Sequence, residues 1–407
     1  MVYLAKGGFW FSFGHVISVA VTFGMAVLFA RFVPADVYGT YKFILSVLAI
    51  LAISNLTRMG GIFSQAVARG MDGSMFEVLR TKMRWGSLGS FASLCVAGYY
   101  FLQGNTLFTF AFVITAAFLP FMDSFLVYQD YLQGKKRFDM SIPYFSMSQV
   151  IAAAVMAVVI LITHNVNIIL GAYLVSWTAV RGFFFLRAIK KVPPNDKTDP
   201  HTIPYGKHAS VADVIATLIG SWDQIIVFHF LGPVPLAVYS FAIAPISQLV
   251  TPFKNLPILA MPKLAARPVE QIHGMIKKRL LVAFLVAALV TAAYILLAPF
   301  LFQIFFPKYL ASIGISRLYA LTVLFSLPSI ILTSAINAKV THLPKKLLYV
   351  WNIPSLLATL FILGSVQRLG VAGVAYGRIL SAILVFIIAC LVWLYIAKRD
   401  SAKPTSV

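Results

Sequence analysis

The chain alternates between long apolar stretches and short polar connections from one end to the other. Each apolar stretch is about 20 residues long, which is enough for an α-helix to cross a hydrocarbon core of about 30 Å. Backbone amides in lipid must be paired within their own segment, so we interpret these stretches as transmembrane helices. About twelve helices are predicted, at 9–32, 40–64, 84–102, 107–128, 143–164, 166–188, 209–231, 236–260, 280–303, 315–338, 347–366 and 371–397.

The composition agrees with an all-α integral membrane protein. Of the 407 residues, 60% are apolar and 11% are charged, and the mean hydropathy is +0.89. Soluble domains carry about 25% charged residues, so this chain has too few charges for a water-facing surface. The net charge of +21 would suggest nucleic acid in a soluble protein. Here the cations sit in short clusters between apolar stretches, and we expect no nucleic-acid partner.

The basic clusters occupy alternate connections, and this asymmetry predicts the orientation of the chain. The basic connections join helices two and three, four and five, six and seven, eight and nine, and ten and eleven. The C-terminal tail adds three more cations. The other connections carry few, namely Arg31, Lys42, Lys308, Arg317 and Arg368. Because basic connections stay on the cytoplasmic side, both termini are predicted to be cytoplasmic.

A short sequence repeat divides the chain into two halves of six helices. Residues 32–43 are FVPADVYGTYKF and residues 230–241 are FLGPVPLAVYSF. At a constant offset three pairs are identical, namely Phe32 and Phe230, Tyr41 and Tyr239, and Phe43 and Phe241. Both segments join the first and second helix of a half, which indicates a parallel repeat. The predicted domains are an N-terminal bundle at 1–190, a cytoplasmic linker at 191–208 and a C-terminal bundle at 209–407.

Several functional classes find no support in the residues. Cys95 and Cys390 fall in apolar stretches, as small core residues do, and do not suggest a disulfide framework. The seven histidines lack metal-ligand spacing, and there is no Walker A phosphate-binding loop. The connections predicted on the outer side are too short to hold the active site of a glycan polymerase. We therefore expect no enzymatic activity, metal or cofactor.

Charged residues inside the predicted helices are the candidates for function. Each costs about 2.5–3.5 kcal/mol at a helix centre, so each needs a partner or a water-filled cavity. Arg58 and Lys254, on the second helix of each half, are expected to line a cationic cavity between the halves. Arg181 and Arg378 are further candidates for this cavity. Arg181 also lies near a helix end, like Asp213, where a charged group can reach the membrane interface.

The remaining charged positions are Asp123, in predicted helix four, and Asp223, in the outer half of predicted helix seven. Asp223 either binds a coupling cation or proton, or pairs with a basic neighbour such as Arg378. Pro252 and Pro328 can kink their helices. The segment 264–279 is either an amphipathic helix on the inner membrane surface or a solvated extension of helix nine.

Three segments resemble polysaccharide flippases of the multidrug/oligosaccharidyl-lipid/polysaccharide exporter superfamily. LFARFVPADVYGTYKF, at 28–43, resembles their first loop, and WDQIIVFHFLGPVPLAVYSFA, at 222–242, resembles the start of their second half. VYQDYLQGKKRFDM, at 127–140, resembles their basic loop between helices four and five. The most similar branch is the O-antigen-type flippases.

The resemblance implies a fold, a task and a location. The fold is two six-helix bundles around a central cavity, in the bacterial cytoplasmic (inner) membrane. The task is to move undecaprenyl-diphosphate-linked oligosaccharides to the outer leaflet by alternating access, for polysaccharide or lipopolysaccharide biosynthesis. The implied partners are the lipid-linked oligosaccharide, the lipid bilayer and a glycan polymerase.

Three alternatives remain open at this point. A multidrug exporter of the same superfamily would favour acidic residues in its lumen, whereas arginine and lysine are in excess here. A facilitator-superfamily carrier would carry a Gly-x-x-x-Asp-Arg-type loop between helices two and three, which residues 59–84 lack. A membrane-bound polymerase or ligase would need a large outer loop.

Overall fold

The computed structural model describes residues 2–212, 214–254, 264, 267–339, 350–351 and 353–401. For some of these residues, such as Lys254, it describes only the backbone. Throughout this described part the regular secondary structure is helical, which confirms the predicted all-α class. The chain divides into two compact units, an N-unit of residues 1–225 and a C-unit of residues 226–407. This division falls after the predicted linker, so α9, defined below, belongs to the N-unit.

The N-unit contains ten helices, of which the last continues into the C-unit. They are α1 (Val2–Phe32), α2 (Ala35–Leu51), α3 (Met59–Ala68), α4 (Met75–Leu102), α5 (Thr106–Met122), α6 (Val127–Gly134), α7 (Phe138–Ile162), α8 (Val166–Lys191), α9 (Thr202–Ala212) and α10 (Val214–Leu231). A 3₁₀ turn, Ala52–Asn55, follows α2.

The C-unit continues with six more helices in its described part. They are α11 (Pro233–Lys254), α12 (Val269–Phe305), α13 (Ser312–Ala320), α14 (Thr322–Ala338), α15 (Ile353–Leu369) and α16 (Val371–Ser401). Nine helical segments in the described part are long and apolar enough to cross a membrane, and α15 is a shorter apolar helix.

Each of the twelve predicted spans corresponds to one helix or to a broken pair. Predicted helix two is interrupted between α2 and α3, where Leu56 adopts a left-handed conformation with φ 54°. Predicted helix four is α5 and α6, interrupted after Met122. Predicted helix ten is α13 and α14, which meet at Leu321. Apolar periodicity does not reveal these breaks, because both sides of each break are apolar.

The longest helix, α12, shows how the bilayer acts as solvent for this fold. Its inward stripe is made largely of small residues, which allow close helix packing, and consists of Ala283, Ala287, Thr291, Tyr294 and Ala298. Its outward stripe consists of the exposed leucines Leu281, Leu285, Leu289 and Leu296. Large apolar side chains on the outside and small ones inside are the arrangement expected of a helix in lipid.

The structure places the repeated motif at equivalent points of the two units. In the N-unit α1 ends at Phe32 and α2 begins at Ala35, and in the C-unit α10 ends at Leu231 and α11 begins at Pro233. Tyr41 and Phe43 are buried in α2, as Tyr239 and Phe241 are in α11. The break after α5, at Asp123, also matches Leu321 at the same offset. The predicted repeat is therefore confirmed.

Residues 269–279 form the first part of α12. Val269, Ile272 and Ile276 are buried and pack in one apolar cluster with Trp393 and Ile396 at the end of α16. Of the two alternatives left open from the sequence, a helix on the membrane surface or an extension of helix nine, the structure agrees with the extension from residue 269 onward. Its apolar face is buried by α16 instead of by lipid. The contact also places the start of α12 and the end of α16 on one face of the C-unit. Both were predicted to lie on the cytoplasmic side.

Candidate functional site

Three connections predicted to be cytoplasmic meet on one face of the N-unit. They are the α3–α4 loop at 69–74, the α6–α7 connection at 135–137, and residues 192–199 after α8, which we call the strap. Asp72 lies at their centre and is fully buried. Lys135 Nζ is 2.8 Å from its Oδ2 atom, and the Asn195 amide donates to the same oxygen at 3.0 Å.

Backbone contacts hold the strap along its length. The Gly73 amide donates to the Lys197 carbonyl at 2.9 Å, and the Tyr131 hydroxyl donates to the Val192 carbonyl at 3.0 Å. A Cβ atom on Gly73 would lie 2.8 Å from the carbonyl carbon of Asp196, so the approach requires glycine. The sequence predicted a polar linker here, and the structure shows that the segment is bound to the N-unit.

Asp199 closes the strap against the α3–α4 loop. The His201 amide donates to its carboxylate at 3.0 Å, and Arg69 forms an ion pair with the same carboxylate. The backbone hydrogen bond from His201, followed by the charge of Arg69, lowers the pKa of Asp199 below its ordinary value. The carboxylate is therefore ionised throughout the physiological range.

The sequence predicted Arg58 inside a helix, but the residue lies in the break between α2 and α3. It directly precedes Met59, and its side chain is exposed. Its backbone amide donates to the Ser210 hydroxyl in α9 at 3.2 Å. Helix α9 thus fixes the backbone at Arg58, while the guanidinium group lies on an accessible surface of the N-unit.

Arg181 is buried inside the N-unit. Its Nη1 atom donates to the Met122 carbonyl at 2.9 Å and to Asp123 Oδ1 at 2.7 Å, and its guanidinium carbon lies 4.3 Å from the centre of the Trp177 ring. The contacts neutralise the carbonyl end of α5 where the helix stops. Arg181 therefore joins α8 to the α5–α6 break instead of reaching the membrane interface.

Two further charged residues lie near Arg181 and Asp123, and the sequence did not identify them as functional candidates. They are Lys82 and Asp130. Lys82 was assigned to a basic connection, but it is buried on α4 and interacts electrostatically with Asp130 and Asp123. Asp130 lies on α6, and its carboxylate packs directly against the backbone of Gly60. Polarity along the chain could not show this, because the partners lie on different helices far apart in sequence.

Asp223 is buried on α10 and faces α2. The Gln224 amide donates to its Oδ1 atom at 2.9 Å, and Lys42 interacts with the carboxylate electrostatically. One turn beyond Lys42, the Ser46 hydroxyl donates to Gln224 Oε1 at 2.8 Å. Lys42 and Ser46 are four residues apart and therefore lie on the same face of α2. This spacing is the one feature of the sequence that could have indicated the contact.

The remaining charged positions predicted from the sequence are Arg378, Lys254 and Asp213. Arg378 is half-buried on α16 in the C-unit. The side chain of Lys254, at the end of α11, and the whole of Asp213 lie outside the described residues. Across the part of the chain that is described, no three His, Cys, Asp or Glu side chains converge in a geometry suited to a metal ion.

Comparisons with known proteins give matches among solved structures. No protein-family model and no curated protein matches the chain. An inward-facing multidrug resistance MATE family transporter of the MOP superfamily matches with TM-score 0.61 at 16% identity, covering 96% of each chain. A MATE structure in complex with MaD5 matches with TM-score 0.63 at 16% identity, covering 98% of this chain and 96% of the other.

A third structure is a MOP superfamily transporter from Pyrococcus furiosus, whose binding pocket is described as having reverse polarity, suggesting a different function. It matches with TM-score 0.52 at 14% identity, covering 98% of this chain and 94% of the other. At such identities the comparison establishes architecture and no more. The chain has the fold of the MATE transporters of the MOP superfamily.

Proposed function

We propose that the protein is a flippase that moves undecaprenyl-diphosphate-linked oligosaccharides from the cytoplasmic to the outer leaflet of the bacterial inner membrane. The translocated oligosaccharide would be used in polysaccharide biosynthesis, such as that of the O-antigen of lipopolysaccharide. The observation that carries this proposal is the charge of the C-unit. Residues 226–407 contain only two acidic residues, Glu270 and Asp400. A diphosphate needs cations in place of its water and would be repelled by carboxylates.

The residues take different roles in this proposal. Arg58, Lys254 and Arg378 supply positive charge to the diphosphate or to acidic sugars. Arg181 contributes less directly, because its guanidinium already binds Asp123 and the end of α5. The hydrophilic glycan crosses by alternating access, while the lipid tail stays in the bilayer.

The structural neighbours bear on the proposal in two ways. Two of them are multidrug resistance MATE family transporters, which favours transport as the general activity. The Pyrococcus furiosus transporter is described as having a binding pocket of reverse polarity. It supports the view that the residues of the pocket, rather than the fold, decide the substrate.

A multidrug exporter is the second candidate, because the MATE neighbours are described as multidrug transporters. The two functions make opposite demands on charge. Cationic drugs require acidic or aromatic groups in the lumen, whereas a lipid diphosphate requires basic groups.

The decisive experiment is expression in a bacterial strain that lacks its own O-antigen flippase. Wild-type protein should restore surface glycan, measured relative to protein abundance in the membrane. Arg58→Ala and Lys254→Ala should each lose at least about tenfold, because a cation paired with phosphate is worth about 1.5–3 kcal/mol. Arg58→Lys and Lys254→Arg should keep partial function, since they retain the charge.

Arg80→Ala is the matched control, because Arg80 is an exposed cation of the same unit. It should leave surface glycan unchanged. Abundant alanine variants with normal surface glycan would remove Arg58 and Lys254 from the substrate site. Resistance to cationic drugs without restored glycan would favour the multidrug exporter instead.

A further inference from the structure

The C-unit contains a cavity that the proposed function does not use. It has a volume of about 450 Å³ and lies between α11, α12 and α14. Cavities of about 300–1,000 Å³ are the size that commonly holds small organic ligands. Among the described residues, Arg58, Arg181 and Arg378 of the proposed substrate route do not line it.

Its walls are apolar along most of their length. Val282 and Val286 of α12 face Leu327 and Ile330 of α14, and Phe253 of α11 completes the lining. The small side chains Ala283 and Ser334 leave room between the two helices. Val282 and Val286 remain 51% and 38% exposed, so the groove is open to the surroundings of the unit. Such a wall suits a hydrocarbon chain and offers little to a sugar.

One end of the cavity is strongly cationic. Lys278 and Arg279 line it there, next to each other on α12, and both are exposed. In the described part of the C-unit, neither forms an ion pair. The nearest acid in sequence is Glu270, about two helical turns away. A bound anion is the partner that this pair of cations lacks.

The position of the two cations along α12 sets their depth in the membrane. Helix α12 has 37 residues and is therefore about 55 Å long, well beyond the hydrocarbon thickness of about 30 Å. An uninterrupted apolar stretch begins directly after Arg279. Lys278 and Arg279 thus lie where the hydrocarbon ends, which is the level of lipid phosphate groups.

We propose that this groove is a binding site for an anionic phospholipid of the surrounding bilayer. One acyl chain lies along Val282, Val286, Leu327 and Ile330, and the phosphate binds Lys278 and Arg279. A free phosphate ion would not need the apolar groove, and a neutral lipid would not need two unpaired cations. The phospholipids of the leaflet combine both chemistries and reach the open groove sideways. The site is independent of the proposed flippase activity.

The test is lipid binding to the purified full-length protein in detergent, followed by native mass spectrometry. The probes are dioleoyl phosphatidylglycerol and, as the comparison lipid without net charge, dioleoyl phosphatidylcholine. The wild-type protein should retain phosphatidylglycerol preferentially. The double variant Lys278→Gln/Arg279→Gln should bind it about 30-fold more weakly, since each cation facing an anionic lipid contributes a factor of about five. Lys277→Gln should change binding less than about twofold, because Lys277 is the adjacent exposed cation and does not line the cavity.

A second pair of variants tests the groove itself. Val286→Trp fills the cavity and should abolish retention of the lipid. Leu285→Trp places the same bulk on the neighbouring exposed position outside the lining, and should leave retention intact. Elution as a single species and an unchanged unfolding midpoint show that each variant is folded.

Four outcomes would overturn the proposal. Equal retention of phosphatidylcholine would show that the cations are not needed. Displacement of the lipid by inorganic phosphate would indicate a site for free anions. An effect of Lys277→Gln as large as that of the double variant would reduce the site to general surface charge. Displacement by an equimolar amount of undecaprenyl phosphate would assign the groove to the carrier lipid instead.

Discussion

Asp223 is a buried carboxylate at a contact between two helices that are far apart in sequence. Its known contacts are the Gln224 amide and the charge of Lys42, and the Ser46–Gln224 hydrogen bond lies beside them. An acid in such a place can serve as the binding site of a coupling proton or cation, or it can merely neutralise Lys42. Pairing of Asp223 with Arg378, the partner considered from the sequence, stays a prediction.

Substitution of both partners separates these two roles. We expect Asp223→Asn to reduce glycan transport at least about tenfold at near-normal abundance. If the carboxylate binds a coupling ion, the double variant Lys42→Gln/Asp223→Asn should remain inactive. If it only neutralises Lys42, the double variant should recover activity, because the half-buried cation that has lost its carboxylate is then removed as well. Full activity of Asp223→Asn alone would exclude both roles.

At the residue scale, the sequence predicted where charged residues lie along the helices better than it predicted which residues they contact. Arg181 and Asp123 were both recognised as intramembrane charges, but their ion pair was not predicted, because it joins positions 58 residues apart. Lys82 and Lys42 were assigned to connections because they lie close to the ends of apolar stretches. A hydropathy pattern locates a charge along the chain, and only the packing of helices determines what lies opposite it.

At the scale of elements, the strap is the feature that the sequence described least well. Its prolines and charged residues predicted a linker between the two halves. The buried Asp72, the glycine at 73 and the Tyr131 hydroxyl turn the same residues into a segment bound to α3, α4 and α6. Docking of this kind depends on single polar contacts, which leave no periodic signal.

Removing the charge of Asp72 should release the strap. Asp72→Asn leaves Lys135 without its partner, and we expect a loss of about 2 kcal/mol in stability because the carboxylate is fully buried and Lys135 mostly so. Amide hydrogen exchange over residues 193–199 should become faster, measured by mass spectrometry in detergent.

Asp139→Asn is the control, since it removes an ion pair with Arg137 in which both side chains are about half exposed. Such surface pairs contribute about 0–1 kcal/mol. Unchanged exchange over the strap in Asp72→Asn would show that the backbone contacts hold the segment without the buried charge.

At the scale of the whole molecule, the number and order of the spans were predictable, and so was the repeat. Both follow from the bilayer, which demands apolar helices of a fixed length. The breaks at Leu56, Asp123 and Leu321 were not predictable, because they interrupt stretches that are apolar on both sides. The contacts among residues 69–74, 135–137 and 192–199 agree with the alternation of basic connections, because they lie on one face of the N-unit.

The side of the membrane on which this face lies is a prediction that labelling can check. In a variant with Cys95 and Cys390 replaced by serine, we introduce one cysteine at an exposed site, either Thr198→Cys in the strap or His164→Cys between α7 and α8. A membrane-impermeant maleimide should label His164→Cys in intact cells and Thr198→Cys only after permeabilisation, because basic connections stay inside. Labelling of Thr198→Cys in intact cells would contradict the twelve-span orientation.

The scarcity of acids in residues 226–407 also determines how the protein responds to protons. Lysine and arginine keep their charge up to about pH 10, and carboxylates and histidines account for buffering between about pH 4 and 8. With only Glu270 and Asp400 as acids, and with His229, His273 and His342 as its histidines, the C-unit has few groups that can titrate in this range. The N-unit, by contrast, holds Asp123, Asp130 and Asp223 within its helical bundle. In the proposed mechanism, the carboxylates that could bind a coupling proton thus lie in the N-unit, whereas the cations proposed for the anionic substrate come from both units, as Arg58 in the N-unit and Lys254 and Arg378 in the C-unit.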